Sequence, residues 1–184
     1  MKNPPWHRDE IILALDLYFD SNRGSIDDKN PRIKELSQVL NNLPIQEFRP
    51  DAERFRNANG VTLKLSNFLA LDPDYSGKGM DGGSKLDKQV FLEFWGQKEK
   101  LHQIASAIRA IAQDEVLSGE ISLIENDQPA KSVEAVEGGI LYRLHKLRER
   151  NPGLAAKKKR AVLTTTQKLE CEICQFDFGR VYGK

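Results

Sequence analysis

The chain has 184 residues, of which 39% are hydrophobic and 30% are charged, with a net charge of +1. This length suits one ordinary domain with an appendage, and the composition indicates a folded protein rather than a disordered one. No run approaches the roughly 18 apolar residues that span a bilayer, and the N-terminus lacks a hydrophobic signal core, so we expect a cytoplasmic protein.

The first part of the chain, residues 1–116, is predicted to be a helical domain. Apolar residues at helical spacing predict a buried amphipathic helix from Trp6 to Asp20. Asn30 followed by Pro31 is typical of an N-cap and a first helical position, and this second helix should end before Pro44.

The middle of this domain is less regular. Asp51 is placed to cap a short helix, whereas the run that begins at Val61 fits a helix or a short strand, of which we favour the helix. The glycine-rich stretch from Asp72 to Lys85 predicts a surface loop. It lacks the Gly-Lys-Ser/Thr order of a nucleotide-binding loop, so we do not expect nucleotide binding there.

The longest helix is predicted to run from Leu86 to Gln113, as the spine of the domain. Residues 117–136 are polar and predict a linker, within which Ile121–Ile124 form a short strand. A helical connector at 137–168 follows, with one helix on each side of the break at 151–153.

The charge of the chain is unevenly distributed. Residues 137–184 carry 11 Lys/Arg against 5 Asp/Glu, whereas residues 1–136 carry 17 against 22. Because phosphate contacts depend on local charge density, this excess predicts DNA-backbone contacts in the connector, although a merely solvated face would look the same. The candidate phosphate contacts are Arg143, Lys146, Arg148, Arg150, Lys157, Lys158, Lys159 and Arg160.

Selective reading of a base, if the chain has it, is expected from the front domain. Polar residues of the kinds that pair with base edges or phosphates occur there, and each could equally be a cap or turn residue. Trp6 and Trp95 could stack on an unpaired base, but their apolar neighbours favour core packing. The candidate DNA contacts of the front domain are Arg54, Arg56, Asn57, Asn59 and Lys64.

Cys171 and Cys174 are the only cysteines of the chain. The Cys-x-x-Cys spacing lets both thiolates approach a zinc ion at about 2.3 Å, and supplies half of a four-ligand site. A redox pair and two ordinary cysteines are the alternatives. The redox pair is less favoured because no thioredoxin-like alternation of strands and helices is predicted.

Several segments resemble the HNH endonucleases. Residues 169–183 resemble the entrance to their zinc module, commonly Cys-x-x-Cys-Gly-Phe-Asp-Phe followed by Tyr-Gly, with Gln175 here in place of the usual glycine. The basic helices at 137–168 and segments 3–19 and 56–68 are similar to the same proteins, so the resemblance covers most of the chain. Such proteins are commonly labelled 5-methylcytosine-specific restriction endonucleases.

This resemblance implies a mainly α fold, α+β at most, in which the helical domain and basic connector lead into a truncated ββα-metal module at 169–184. The family's catalytic histidines and second pair of zinc ligands do not occur here. No catalytic residue is therefore assigned, a catalytic divalent metal is expected only in a full-length parent, and the chain alone is not expected to cut DNA.

The implied function is DNA recognition on behalf of a modification-dependent restriction endonuclease. The expected partner is DNA, with 5-methylcytosine as the candidate modified base, and the expected cofactor is zinc at the half-site of Cys171 and Cys174. A homodimer is plausible. The alternatives are a helical protein-interaction module and a nonfunctional truncated remnant.

Overall fold

A computed structural model describes residues 2–46, 48–80, 83–124, 138–150, 152–166 and 168. These residues form eight α-helices and no strand, which confirms the predicted mainly α fold. The expected ββα-metal module falls at 169–184, outside the described residues. Among the described helices, none has the length and apolar character needed to cross a membrane.

The helices are α1 (Arg8–Phe19), α2 (Pro31–Asn42), α3 (Ala58–Leu69), α4 (Lys85–Phe94), α5 (Lys98–Gln113), α6 (Glu115–Ser122), α7 (Gly139–Arg150) and α8 (Pro152–Thr166). The chain divides into two compact units, which we call the front unit (Met1–Arg143) and the C-terminal unit (Leu144–Lys184). Helices α1 to α6 belong to the front unit, and α7 begins there and continues into the C-terminal unit.

Helix α1 is the centre of the front unit. Every residue from Arg8 to Tyr18 is buried, and the helix contacts α2, α3, α4 and α5. The predicted helix is thus confirmed, but it is enclosed on all sides, whereas an amphipathic surface helix buries one stripe. At its C-terminal end it joins an aromatic cluster with ring centroids 5.2–6.3 Å apart, formed by Tyr18, Phe19, Phe68, Phe91 and Trp95.

Polar side chains fix where several helices begin. The Asn30 side chain accepts a hydrogen bond from the Arg32 N–H at 2.9 Å, with Pro31 at the first helical position, as predicted. The Asn57 side chain accepts from the Gly60 N–H at 2.8 Å. Such caps contribute about 1 kcal/mol each, and the cap at Asn57 explains why the ambiguous run after it is helical.

The predicted long helix at 86–113 is wrong, because the chain forms α4 and α5 with a break at residues 95–97. Gly96 lies in the break, and glycine costs about 1 kcal/mol in a helix interior. Gln97 then leaves helical geometry, at φ −132° and ψ 45°. Asp51 likewise caps a turn at residues 52–56 rather than a short helix.

The predicted short strand at 121–124 is also wrong. Residues 115–122 form α6, which begins where the Asp114 side chain accepts from the Leu117 N–H at 2.9 Å. Helix α6 packs against α5, and Ile121 is fully buried. The front unit therefore extends past the boundary expected near residue 116, and its last described residues are 138–143.

The start of α7 is anchored on the start of α1. Asp9 is fully buried, and its Oδ2 accepts from the Ile140 N–H at 3.2 Å and lies 3.0 Å from His7 Nδ1. Gly138 has φ +83°, and a Cβ there would overlap Oδ1 of Asp9. A buried carboxylate thus caps a helix that lies 131 residues away in sequence.

His7 gives this anchor a pH dependence. Burial by itself lowers the pKa of His7, but the hydrogen bond to Asp9 and the negative charges of Asp9 and Glu10 outweigh it, so the pKa lies above the ordinary 6.5. The folded state therefore binds this proton more tightly than the unfolded state. Its stabilising contribution is complete below about pH 6.5 and is lost as the pH rises through the folded-state pKa.

We expect the urea midpoint of the front unit to fall as the pH is raised from about 6 through the folded-state pKa of His7. Tryptophan fluorescence measures this unit alone, since both tryptophans, Trp6 and Trp95, lie in it. The variant His7→Asn keeps a good N-cap residue but cannot titrate, so its midpoint should vary less with pH. An equal pH dependence in the variant would mean that another group is responsible.

Candidate nucleic-acid interface

Arg56 is a buried structural cation. Its side chain is 4% exposed, and it forms a two-point ion pair with Glu10, at 2.6 Å from Nε to Oε1 and 2.8 Å from Nη2 to Oε2. It also donates to the carbonyl oxygens of Pro4 at 3.2 Å and Pro5 at 2.9 Å. Its backbone has φ +46°, a left-handed conformation that is unusual outside glycine.

Lys64 has the same character. Its side chain is 7% exposed, and its Nζ lies 2.7 and 2.9 Å from the two carboxylate oxygens of Asp87. The Lys64 Nζ and the Arg56 guanidinium also lie 4.8 and 4.7 Å from the centroid of the Trp6 ring. We therefore correct the prediction for these two cations: reaching a phosphate would leave Glu10 and Asp87 charged and unpaired in the interior.

The other three candidates of the front unit differ in accessibility. Asn57 is occupied as the cap of α3, and its Nδ2 donates to the carbonyl oxygen of Glu53 at 3.3 Å. Arg54 is 83% exposed, with its Nε 3.7 Å from a carboxylate oxygen of Asp51. Asn59 is exposed in the first turn of α3. Arg54 and Asn59 are thus the front-unit candidates that could reach DNA.

Candidates on α7 are spread between core and surface. Arg143 is 6% exposed and belongs to the front unit, so it is not placed to contact a phosphate. Lys146 is half-buried and Arg148 is exposed. The backbone of Arg150 is helical, and its side chain lies outside the described part of the chain. On helix α7, the candidates that are accessible to a phosphate are therefore Arg148 and the exposed part of the Lys146 side chain.

The structure places the remaining candidates on α8. Lys157, Lys159 and Arg160 are exposed, and none of them pairs with a carboxylate of the described residues. Lys158 is helical in backbone, and its side chain lies outside the described part. Because successive residues of an α-helix are about 100° apart, these positions distribute positive charge around the helix rather than along one face.

The side chains of α8 that the structure describes include no buried one. Its described residues are exposed, apart from the half-buried Val162, and Leu163 is 44% exposed. A helix of 15 residues is about 22 Å long. The described side chains of α8 thus lie mostly in solvent, and the cations Lys157, Lys159 and Arg160 near its middle suit non-specific contact with a phosphate backbone.

A cavity that the sequence analysis missed lies between α1, α2 and α5, with a volume of about 850 Å³. In it Asp16 accepts from Arg109 Nη1 at 2.5 Å, and its other oxygen lies 3.0 Å from His102 Nδ1. In the sequence, the seven-residue spacing between His102 and Arg109 indicates that both side chains lie on one face of a helix. This spacing could have pointed to a shared polar site on α5. Its lining contains Asp20, Glu35 and Glu99 as well as cations, so the cavity has little net attraction for a phosphate.

The predicted zinc half-site of Cys171 and Cys174 lies outside the described residues. Within those residues, no three His, Cys, Asp or Glu side chains are grouped as metal ligands would be. No protein-family model matches the sequence, and no curated protein or solved structure is significantly similar to the chain.

Proposed function

We propose that this chain is a DNA-binding and recognition portion of an HNH-type modification-dependent restriction endonuclease, acting in the cytoplasm. The observation that carries the proposal is the block of exposed cations on α8, which includes Lys157, Lys159 and Arg160. Solvated cations on a helix can replace the counterions that surround DNA phosphates, and release of those counterions drives binding.

The contrast with the front unit supports this proposal. There the cations Arg56 and Lys64 are buried and each is paired with a carboxylate, so they stabilise the fold. Residues 1–143 carry 18 Lys/Arg against 23 Asp/Glu, whereas residues 144–184 carry 10 against 4. Positive charge that is available to a polyanion is therefore concentrated in the C-terminal unit.

The further parts of the proposal come from the HNH resemblance. We propose that Cys171 and Cys174 hold a zinc ion as two of its four ligands, supported by the Cys-x-x-Cys spacing. We propose that the DNA contains 5-methylcytosine. Arg54 and Asn59 are the accessible candidates of the front unit for contacting this base. Because cleavage of both DNA strands by such enzymes favours two copies of the chain, we also propose a homodimer.

The test of this proposal is charge reversal on α8. In the variant Lys157→Glu/Lys159→Glu/Arg160→Glu, we expect loss of DNA binding at physiological salt. Fluorescence anisotropy of a labelled duplex of about 20 base pairs, methylated and unmethylated, measures the affinity over a range of salt concentrations. Each phosphate contact contributes about 0.9 to the slope of log K against log salt, so the slope should decrease in magnitude by about three.

A matched control separates local contact from overall charge. The variant Lys34→Glu/Lys88→Glu/Lys100→Glu reverses three exposed lysines on α2, α4 and α5 and changes the net charge equally. It should retain most of the affinity. Equal losses of DNA affinity in the two variants would mean that net charge, and not contact by α8, causes the effect. If the unchanged chain bound neither duplex at low salt, the helical protein-interaction module would be favoured instead.

A further inference from the structure

The described cations of α8 are arranged symmetrically about one of them, Arg160. Successive residues of an α-helix are about 100° apart, so Lys157 lies about 60° to one side of Arg160 and Lys159 about 100° to the other. All three side chains are exposed. Val162, which lies about 160° from Arg160 around the helix, is half-buried. Arg160 therefore lies near the centre of the exposed side of α8, with one lysine on each flank.

The residues one turn before and one turn after Arg160 are small. They are Ala156 and Thr164, which share its face at a spacing of four residues, and both are exposed. The Thr164 hydroxyl donates to the Arg160 carbonyl oxygen at 2.8 Å, which ties this side chain to the helix. A surface can therefore approach this face of α8 closely, and the guanidinium of Arg160 is the group that reaches into it.

The angle between the two lysines distinguishes between two ways of contacting DNA. A helix that rests on a single row of phosphates needs its cations on one face, whereas Lys157 and Lys159 are about 160° apart. Both can reach phosphates when the helix lies between two rows, inside a groove. The major groove, about 12 Å wide, admits an α-helix of about 10–12 Å diameter, and the minor groove, about 6 Å wide, does not. The flanking lysines therefore favour the major groove.

We propose that α8 lies in the major groove of DNA, with Lys157 and Lys159 against the phosphates of opposite strands and Arg160 on the edge of a guanine. Guanine presents two acceptors in this groove, N7 and O6, and the planar guanidinium can donate to both. Among the described residues Arg160 has no ion-pair partner, so this contact breaks none of the ion pairs that the structure describes. The inference rests on the proposed DNA binding by α8, and it adds the base that the helix contacts.

The test compares duplexes of about 20 base pairs that differ only in their guanines. Replacement by 7-deazaguanine removes the N7 acceptor from the major groove, whereas replacement by hypoxanthine removes the amino group from the minor groove and keeps N7 and O6. In fluorescence anisotropy with the full chain at low salt, the 7-deazaguanine duplex should bind about tenfold more weakly than the unmodified duplex. The hypoxanthine duplex should bind as well as the unmodified one.

Two results of this comparison would overturn the inference. Equal binding of all the duplexes would mean that α8 contacts phosphates without reading a base. A loss of affinity with hypoxanthine but not with 7-deazaguanine would place the contact in the minor groove.

The variant Arg160→Ala tests which side chain makes the contact. It should bind the unmodified and the 7-deazaguanine duplexes equally, and alanine favours the helix at this exposed position. The matched control is Lys159→Ala, which removes one cation from the same helix. It should weaken binding to every duplex but keep the tenfold difference between them. A difference that survives Arg160→Ala, or disappears in Lys159→Ala, would contradict the role of Arg160.

The charge-reversal variant of α8 separates this inference from the proposed function. Because Arg160 remains a cation inside the groove, it still displaces counterions, and the salt dependence expected for that variant is unchanged. If charge reversal abolishes binding while the unchanged chain binds all the duplexes equally, the proposed function stands and the guanine contact is wrong. If the unchanged chain binds none of them at low salt, the proposed function fails, and the inference fails with it.

Discussion

Replacing Gly138 with alanine should destabilise the front unit by about 2–5 kcal/mol. The left-handed φ of +83° costs an L-residue about 1–2 kcal/mol, and the added methyl group must displace a buried side chain at a further cost of about 1–3 kcal/mol. That side chain is Asp9, which is fully buried and whose Cγ would lie 2.9 Å from the new Cβ. Urea unfolding followed by tryptophan fluorescence measures the change.

The control for this prediction is Gly119→Ala in α6. A Cβ at Gly119 meets no atom within 4 Å, so alanine there should stabilise the protein by about 0.5–1 kcal/mol. In the background of Asp9→Ala the cost of Gly138→Ala should be smaller, since the overlap with the carboxylate is gone. An unchanged cost in that background would place the strain elsewhere than at Asp9.

Replacing Arg56 with alanine should cost about 3–5 kcal/mol, since it leaves a buried carboxylate without its counter-ion. The carboxylate is that of Glu10, whose side chain is 1% exposed, and the same substitution removes the donors to Pro4 and Pro5. The loss should appear in urea unfolding by fluorescence and as a lower thermal midpoint by circular dichroism.

Arg54 provides the comparison for Arg56, since it lies two positions away and is 83% exposed. Arg54→Ala should change the stability by less than about 0.5 kcal/mol, as is usual for exposed ion pairs. The double variant Arg56→Met/Glu10→Met removes both charges and should cost less than Arg56→Ala alone. If Arg54→Ala and Arg56→Ala had similar effects, the ion pair with Glu10 would not be important for the fold.

The helices that the sequence predicted well have local signals. Asn30 and Pro31 mark a helix start because the cap and the first helical position need only neighbouring residues. The break between α4 and α5 was missed because apolar periodicity continues across it, from Phe94 to Leu101, and one glycine is a weak signal. Helix α6 was missed for a similar reason, since its eight residues include Gly119 and polar positions.

Buried cations could not be predicted from the sequence in this way. Arg56 and Lys64 are of the residue types that bind phosphates, and their partners Glu10 and Asp87 lie 46 and 23 positions away. Which cations are paired therefore depends on the tertiary fold. The block at 157–160 was easier to interpret, because four adjacent cations on a helix cannot all turn to an interior.

The anchor between Asp9 and Ile140 also determines when this protein can finish folding. The contact closes a loop of 131 residues, for which chain entropy alone opposes closure by about 4 kcal/mol. During synthesis α1 precedes Ile140, whose N–H donates to Asp9, by more than a hundred residues. The Asp9 carboxylate of the nascent chain therefore lacks this hydrogen-bond donor until residue 140 has left the ribosome. Contacts between residues so far apart in sequence slow folding.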